Sequence, residues 1–156
     1  MQTRRTINRS SLAIFTFAAS ITVVALSGCG MMSPSSNMTA FSTQLRGANE
    51  VPPNTSPASG TVDAVLNKDT NQLRWKVNYT GLSGPATAAH FHGPASIGAN
   101  AGVALPWTGS VTSPMDGSAT LTPAQAADLL AGKWYANIHT AANPAGEIRG
   151  QMTVRN

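Results

Sequence analysis

The stretch TVDAVLNKDTNQLRWKVNY, residues 61–79, decides the fold class of this chain. Apolar and polar residues alternate on both sides of the turn-forming run Lys68-Asp69-Thr70-Asn71. A period of two places every second side chain on one face of a strand, whereas an amphipathic helix needs a period near 3.6. The two halves are therefore predicted to pair as an antiparallel hairpin with one buried face. That face would consist of Val62, Ala64, Leu66, Leu73, Trp75, Val77 and Tyr79.

Short apolar runs separated by Gly, Pro and Asn continue this pattern outside the hairpin. Thr122-Pro123 is typical of a helix start, and it predicts a short helix over 124–131 that ends at Gly132. The expected fold is all-β: an antiparallel immunoglobulin-like β-sandwich or Greek-key barrel of seven to eight strands with one short helix. Further strands are predicted over 41–46, 87–92, 107–112, 118–121, 133–140 and 147–154, with a surface loop over 95–106.

The first 28 residues have the layout of an export signal. Three arginines lie before an apolar run at 12–26, and Leu26-Ser27-Gly28-Cys29 follows. This segment resembles a bacterial lipoprotein signal peptide, which implies cleavage before Cys29 and a lipid on that cysteine. The alternative is a transmembrane anchor, but the run is short and interrupted by Ser and Thr. The pair Arg4-Arg5 leaves two export routes open, the general secretory route and the twin-arginine route.

The resemblance sets the expected domain plan and location. Residues 1–28 are the signal peptide, 29–39 a flexible tether rich in small polar residues, and 40–156 a single β domain. The mature protein is expected in the cell envelope, bound to the membrane through lipid on Cys29. Gly30 after the cleavage point is compatible with the outer membrane, facing the periplasm or the cell surface.

Composition excludes several functional classes. The chain has 10 basic and 6 acidic residues, and three of the basic ones, Arg4, Arg5 and Arg9, lie in the signal. The mature domain is thus close to neutral, which argues against nucleic-acid binding. Cys29 is the only cysteine, so the domain has no disulfide. We find no serine with an obvious base, no phosphate-binding glycine loop and no paired carboxylates, so a hydrolase is not expected.

The three histidines of the chain lie in predicted strands. His90 and His92 are two residues apart and therefore project from one face of the same strand. If the strand that carries His139 is its neighbour, the three imidazoles can meet at one ion, and a three-histidine site with an open position suits Zn²⁺ or Cu²⁺. The alternatives are histidines that only hydrogen-bond loop backbone, and catalytic histidines.

Four segments, spread over about residues 40–154, carry a family resemblance. They are Leu45-Arg46-Gly47-Ala48-Asn49-Glu50-Val51-Pro52-Pro53, Ala89-His90-Phe91-His92-Gly93-Pro94-Ala95, Tyr135-Ala136-Asn137-Ile138-His139-Thr140 and Pro144-Ala145-Gly146-Glu147-Ile148-Arg149-Gly150-Gln151. In this order they resemble the CHRD domain, a family named from chordin and common in bacterial secreted proteins and lipoproteins. The resemblance implies an all-β, immunoglobulin-like extracellular domain without a settled activity. The His-x-His strand is also similar to that of copper–zinc superoxide dismutase, which has more histidines than the 3 present here.

Polar residues near the histidines admit two interpretations each. Glu147 either forms a surface ion pair with Arg149 or orients a histidine through its carboxylate. Asn137 is expected to hydrogen-bond a turn or a metal-binding histidine. The aromatic residues Trp75, Trp107, Trp134 and Tyr135 are expected in the core rather than on a sugar-stacking platform.

Two functional hypotheses follow from the sequence. The first is a lipid-anchored, non-catalytic binding module of the cell envelope with a copper or zinc site at His90, His92 and His139. The second is an envelope module without a metal, which acts structurally or through a protein partner. A redox protein similar to superoxide dismutase is a further alternative.

Overall fold

The structure is a computed structural model, and it describes residues 37–155. The signal segment 1–28, Cys29 and the tether as far as residue 36 lie outside the described residues. In the described part of the chain, no helix combines the length and the apolar character needed to cross a membrane.

The described residues form one antiparallel sheet with a single α-helix, which confirms the all-β expectation. Eight strands follow one another across the sheet in the order β5-β4-β7-β8-β1-β2-β3-β6, and β9 pairs with β1. The strands are β1 (Met38–Arg46), β2 (Ser59–Asn67), β3 (Gln72–Thr80), β4 (Ala86–His92), β5 (Val103–Pro106), β6 (Met115–Thr120), β7 (Tyr135–Thr140), β8 (Ile148–Gln151) and β9 (Thr153–Val154). The helix α1 is Pro123–Leu130, and a 3₁₀ turn occupies Gly47–Asn49.

The predicted hairpin is confirmed as β2 and β3. Ala64 lies opposite Trp75, and Leu66 opposite Leu73, in an antiparallel register. Asn71 closes the turn with a positive φ of 54°, a conformation that asparagine tolerates better than most residues. The alternating residues of both strands are buried as predicted, although Tyr79 is only partly buried.

Four segments differ from the sequence prediction. The predicted loop 95–106 contains β5, whose short apolar run Val103–Pro106 shows no alternation but pairs with β4 at the sheet edge. The predicted strand 107–112 is wrong: it has no ladder partners, and Trp107 is buried by ring packing instead. The predicted strand 147–154 is two strands, β8 and β9, and β1 begins at Met38 inside the predicted tether.

Helix α1 confirms the predicted start and end signals. The side chain of Thr122 accepts a hydrogen bond from the Gln125 backbone N–H, and the Gln125 side chain accepts one from the Thr122 N–H. This reciprocal capping box satisfies backbone donors that have no partner within the helix. Gly132 has a φ of +69° just after the helix, a conformation that suits glycine.

The core on one face of the sheet is built around Phe91. The ring of Phe91 lies 4.9 Å from that of Trp107, 5.4 Å from Trp75 and 5.8 Å from Trp134. The first two contacts are edge-to-face, the arrangement that the ring quadrupoles favour. The three tryptophans are buried, which confirms that they belong to the core.

The opposite face of the sheet is covered as well at β7, where every residue is buried. Ala136 and Ile138 belong to the core, while the alternate residues Tyr135, Asn137 and His139 project to the other face. The connections 47–58 and 93–102 cover this face. Asn100 of the second connection donates to the Val51 carbonyl of the first, and Asn49 of the first donates to the Arg149 carbonyl of β8. A polar layer therefore lies between this part of the sheet and the connections 47–58 and 93–102.

Candidate metal centre

The three histidines converge in this polar layer. Strands β4 and β7 are antiparallel neighbours, with Ala88 opposite His139 and His90 opposite Asn137. One nitrogen atom from each of His90, His92 and His139 lies within 4.8 Å of the other two. The ring centroids are 5.0 Å apart for His90 and His139, 5.4 Å for His90 and His92, and 6.0 Å for His92 and His139. The predicted adjacency of the two histidine strands is confirmed.

A backbone carbonyl sets the orientation of His92. Its Nδ1 atom lies 3.0 Å from the carbonyl oxygen of Ala101. A carbonyl only accepts, so Nδ1 carries the proton and Nε2 keeps its lone pair. That Nε2 atom is buried and has no hydrogen-bond partner. A buried nitrogen with a free lone pair is the state required of a metal ligand.

His139 is oriented in the same way by a second carbonyl. Its Nδ1 atom donates to the Pro144 carbonyl oxygen over 3.0 Å, so its Nε2 atom also keeps a lone pair. The Nδ1 atom of His90 lies 3.3 Å from this Nε2 atom. Two nitrogens bound to a tetrahedral Zn²⁺ ion lie about 3.3 Å apart, because each bond is about 2.05 Å long. The spacing of these two atoms already suits a shared ion.

The surroundings keep the two β4 histidines neutral. Desolvation by burial is the largest cause that lowers the pKa of His90, followed by the nearby His139 and His92. Burial also lowers the pKa of His92, although its hydrogen bond to Ala101 opposes the effect. Neutral imidazole is the form that binds metals, so the site is prepared for an ion at neutral pH.

The donor set restricts which ion fits. Three imidazole nitrogens without a thiolate suit Zn²⁺ and Cu²⁺, and they leave a further coordination position open. His90 and His92 are only partly buried, whereas His139 is buried. The site is therefore partly accessible to solvent on the His90 and His92 side.

Asn137 lies beside the histidines but pairs with an acid. Its Nδ2 atom donates to Glu50 Oε2 over 3.3 Å, and both residues are buried. Neither Asn137 Oδ1 nor Glu50 Oε1 has a hydrogen-bond partner. Burial raises the pKa of Glu50 to about 7, against the opposing effects of Arg149 and of the Asn137 hydrogen bond. The predicted role of Asn137 at a metal-bound histidine stays a prediction.

Glu147 is not a surface residue, so the expected surface ion pair with Arg149 is wrong. Its carboxylate is fully buried and accepts hydrogen bonds from the hydroxyls of Ser56, Ser83 and Thr140 and from the Ser83 backbone N–H. Desolvation alone would raise its pKa, but these hydrogen bonds together lower the pKa of Glu147 to about 2. All four donors to Glu147 are hydroxyl or backbone groups, and none is a histidine. The group that orients His139 is the Pro144 carbonyl and not the Glu147 carboxylate.

Sequence reasoning missed the parts played by Tyr135 and Arg149. Tyr135 is buried, as expected, but its ring is stacked on His92 in the polar layer rather than in the aromatic core. Arg149 is 2% exposed, and its guanidinium carbon lies 3.4 Å from the centre of the Tyr135 ring. Tyr135 follows the period of two that places Asn137 and His139 on the face opposite the core, and this is the signal that identifies it. Arg149 lies on β8, opposite Asn137, and only the pairing of β7 with β8 brings it to this face.

Comparison with known proteins identifies the family. Neither the search of curated proteins nor that of solved structures gives a match. The family model described as the CHRD domain matches residues 41–152, which include all three histidines, Glu50, Tyr135 and Arg149. The match covers well over half of the sequence, and the chain therefore belongs to the CHRD domain family.

Proposed function

We propose that this protein is a lipid-anchored CHRD module of the cell envelope that binds one copper or zinc ion through His90, His92 and His139. The observation that carries the proposal is the buried Nε2 atom of His92, which has a lone pair and no partner. The lone pair on His139 Nε2 lies in the same cluster, within 4.8 Å of the ligand atoms of the other two histidines.

Binding rather than catalysis fits the remaining polar groups. The hydroxyl of Ser83 donates to the buried carboxylate of Glu147, at 2.7 Å from Oε2, so Glu147 is a candidate base for this hydroxyl. A carboxylate with a pKa of about 2 is a poor proton acceptor at neutral pH, so it does not activate this hydroxyl. An ion bound by three imidazoles would polarise a ligand in its open position, and the three histidines of the chain would do no more than hold it.

Calorimetry on the full chain in mild detergent tests metal binding. We expect one Zn²⁺ or Cu²⁺ ion to bind per chain with sub-micromolar affinity, and we would titrate Cu⁺ in parallel. The variant His90→Ala/His92→Ala/His139→Ala has no histidine left and is expected to bind neither ion tightly while remaining folded. Absence of binding to the wild-type protein would contradict the proposal and leave an envelope module whose histidines only hydrogen-bond loops.

A second experiment tests the membrane anchor, which rests on the sequence Leu26-Ser27-Gly28-Cys29. Cells that express the protein are grown with an alkyne-labelled fatty acid, and the purified chain is examined for label. We expect label on the wild-type chain in the membrane fraction and no label on Cys29→Ala. Equal labelling of both chains, or none on either, would contradict lipidation at Cys29.

A further inference from the structure

We infer that Tyr135 and Arg149 are positioning residues that hold the His92 imidazole in the orientation needed at the metal centre. The inference rests on the proposed function, because it says how one of the three ligands is kept in place. Two sets of contacts support it, one through ring stacking and one through the segment 99–101.

The first set is a three-layer stack. The rings of His92 and Tyr135 are almost parallel, with an interplanar angle of 3° and centroids 4.9 Å apart. Their positions follow from the sheet, since His92 lies directly opposite Tyr135 in the β4–β7 ladder. The guanidinium of Arg149 packs on the Tyr135 ring at 3.4 Å, in cation–π geometry. Tyr135 is thus held against both side chains and restricts rotation of the His92 ring.

The second set fixes the carbonyl that orients His92. The Tyr135 hydroxyl accepts from the Ala101 N–H over 3.1 Å and donates to the Ala101 carbonyl oxygen over 3.3 Å. That carbonyl oxygen also accepts the His92 Nδ1 proton. A single phenol therefore contacts His92 through its ring and holds the acceptor of His92 through its hydroxyl.

Arg149 secures the residues just before this carbonyl. Its Nη1 atom donates to the Asn100 side-chain oxygen over 2.8 Å, and its Nη2 atom donates to the Ala99 carbonyl oxygen. The planar guanidinium makes these two hydrogen bonds and the stack on Tyr135 at once, which an ammonium group cannot reproduce. Asn100 in turn donates to the Val51 carbonyl over 3.0 Å, so the segment is also tied to the opposite connection.

These contacts act on the direction of one lone pair. The Nε2 lone pair of His92 faces the cluster only while the Nδ1–H group donates its hydrogen bond to the Ala101 carbonyl and the ring keeps its rotamer. Groups that orient a metal-binding histidine in this way typically change metal affinity by 10- to 100-fold when they are removed.

The test compares variants of the full chain by two readouts. Long-range ¹⁵N NMR of the histidine rings reports which nitrogen of His92 carries the proton, without any metal, and calorimetry with Zn²⁺ reports affinity. Tyr135→Phe keeps the ring and removes the hydroxyl, and Arg149→Lys keeps the charge and removes the planar group. We expect both to convert His92 from one tautomer to a mixture and to weaken Zn²⁺ binding about tenfold.

The chain supplies matched controls. Tyr79 is the other tyrosine, and its hydroxyl also donates to a loop carbonyl, that of Val111, over 2.7 Å. Arg155 forms an exposed ion pair with Asp63. Tyr79→Phe and Arg155→Lys therefore remove comparable groups away from His92, and we expect both to keep the wild-type His92 tautomer and Zn²⁺ affinity.

The two readouts separate the two claims. If Tyr135→Phe and Arg149→Lys match their controls in tautomer and affinity, the positioning role is overturned. If the wild-type protein binds no ion while Tyr135→Phe still shifts the His92 tautomer, the metal function is overturned and the positioning of the ring is supported. If Tyr135→Phe and Arg149→Lys bind Zn²⁺ more weakly and show a mixture of His92 tautomers, while the two control variants resemble the wild type, both the metal function and the positioning role are supported.

Discussion

Glu50 and Asn137 form a buried, hydrogen-bonded pair in which one oxygen of each side chain has no partner. The unpartnered oxygens, Glu50 Oε1 and Asn137 Oδ1, both lie within 2.7 Å of the point where a Cβ atom on Gly146 would be. Asn137 already donates to the other Glu50 oxygen. A proton on Oε1 would add a donor to this pair, in which Asn137 Oδ1 is an acceptor without a partner. This arrangement agrees with a Glu50 pKa raised to about 7.

The Glu50 pair predicts a loss of stability as the pH rises from acidic to neutral values. A folded-state pKa of about 7, above the ordinary 4.5, means that the stabilising contribution is complete below pH 4.5 and is lost as pH rises through 7. We expect the wild-type free energy of unfolding to fall by roughly 1–3 kcal/mol between pH 5 and 8. Glu50→Gln, which retains a donor at neutral charge, should remove most of this dependence.

Urea unfolding at several pH values measures this effect. Asp63→Asn is the control, because Asp63 is an exposed carboxylate in a surface ion pair, and we expect it to keep the wild-type pH profile. A Glu50→Gln profile with the same slope as the wild type would show that Glu50 is ionised in the folded protein and that the pair is held in another way.

Glu147 predicts the opposite dependence, at acidic pH. Its pKa is lowered to about 2 in the folded state, so its contribution is present above pH 4.5 and is lost as pH falls towards 2. Glu147→Gln leaves a buried amide among hydroxyl donors that were matched to a carboxylate. We expect it to lower the free energy of unfolding at pH 7 by roughly 2–4 kcal/mol.

Chemical unfolding of Glu147→Gln from pH 2 to 7 checks this expectation. The variant should be less sensitive to acid than the wild type over this range, because it lacks the titrating group. A variant as stable as the wild type at pH 7 would mean that the four hydrogen bonds of Glu147 contribute nothing net to folding.

At the scale of elements, the pairing of β3 with β6 depends on one glycine. Gly117 lies opposite Trp75 in the ladder, and a Cβ atom at this position would overlap the indole ring. The indole has little freedom to move, since it packs against Phe91 and Trp107 on its other sides. The large ring of β3 therefore requires the absence of a side chain on β6.

Gly117→Ala is expected to lower the free energy of unfolding by about 1–3 kcal/mol, because overpacking forces Trp75 or the β6 backbone to shift. Thermal and urea unfolding measure the effect, and tryptophan fluorescence reports movement of the ring. Gly84→Ala is the matched control, since a Cβ atom there meets nothing within 4 Å. Equal stability of the two variants would show that β6 adjusts without loss.

At the scale of the whole molecule, the sheet separates two kinds of layer. One face of β4 and β7 contributes Phe91, Ala136 and Ile138 to the aromatic core. The other face contributes the histidine cluster with Tyr135 and Asn137. Any ion bound there is fixed to strands that the core already holds in register, so binding is coupled to the stability of the entire domain.

This coupling predicts a pH-dependent thermal shift. With Zn²⁺ at about one hundred times its dissociation constant, the folded state gains about 2.7 kcal/mol, which corresponds to a rise of roughly 10 °C in melting temperature at pH 7.5. The shift should disappear near pH 5, where protons compete for the imidazoles. Differential scanning calorimetry measures the shift in melting temperature. Addition of EDTA should reverse the shift, and His90→Ala is the control variant.

A melting temperature that Zn²⁺ raises equally in the wild type and in His90→Ala would place the ion elsewhere on the protein. Persistence of the full shift at pH 5 would argue against imidazole ligands. Each of these results would contradict the three-histidine site.

The sequence by itself determined the local elements and one half of the site. The alternation over 61–79 predicted the β2–β3 hairpin, Thr122-Pro123 predicted the start of α1, and the spacing of His90 and His92 placed both on one face. These features depend on backbone geometry over a few residues, which is why they can be inferred without the fold.

Only the tertiary structure decided which distant groups meet. The pairing of β4 with β7 brings His139 to His90 across 49 positions of sequence, and the connections bring Ala101 and Pro144 to the two rings. The burial of Glu147, the stack of Arg149 on Tyr135 and the strand at Val103–Pro106 likewise depend on neighbours remote in sequence. Strand order is selected by packing over the whole sheet, and no local period specifies it.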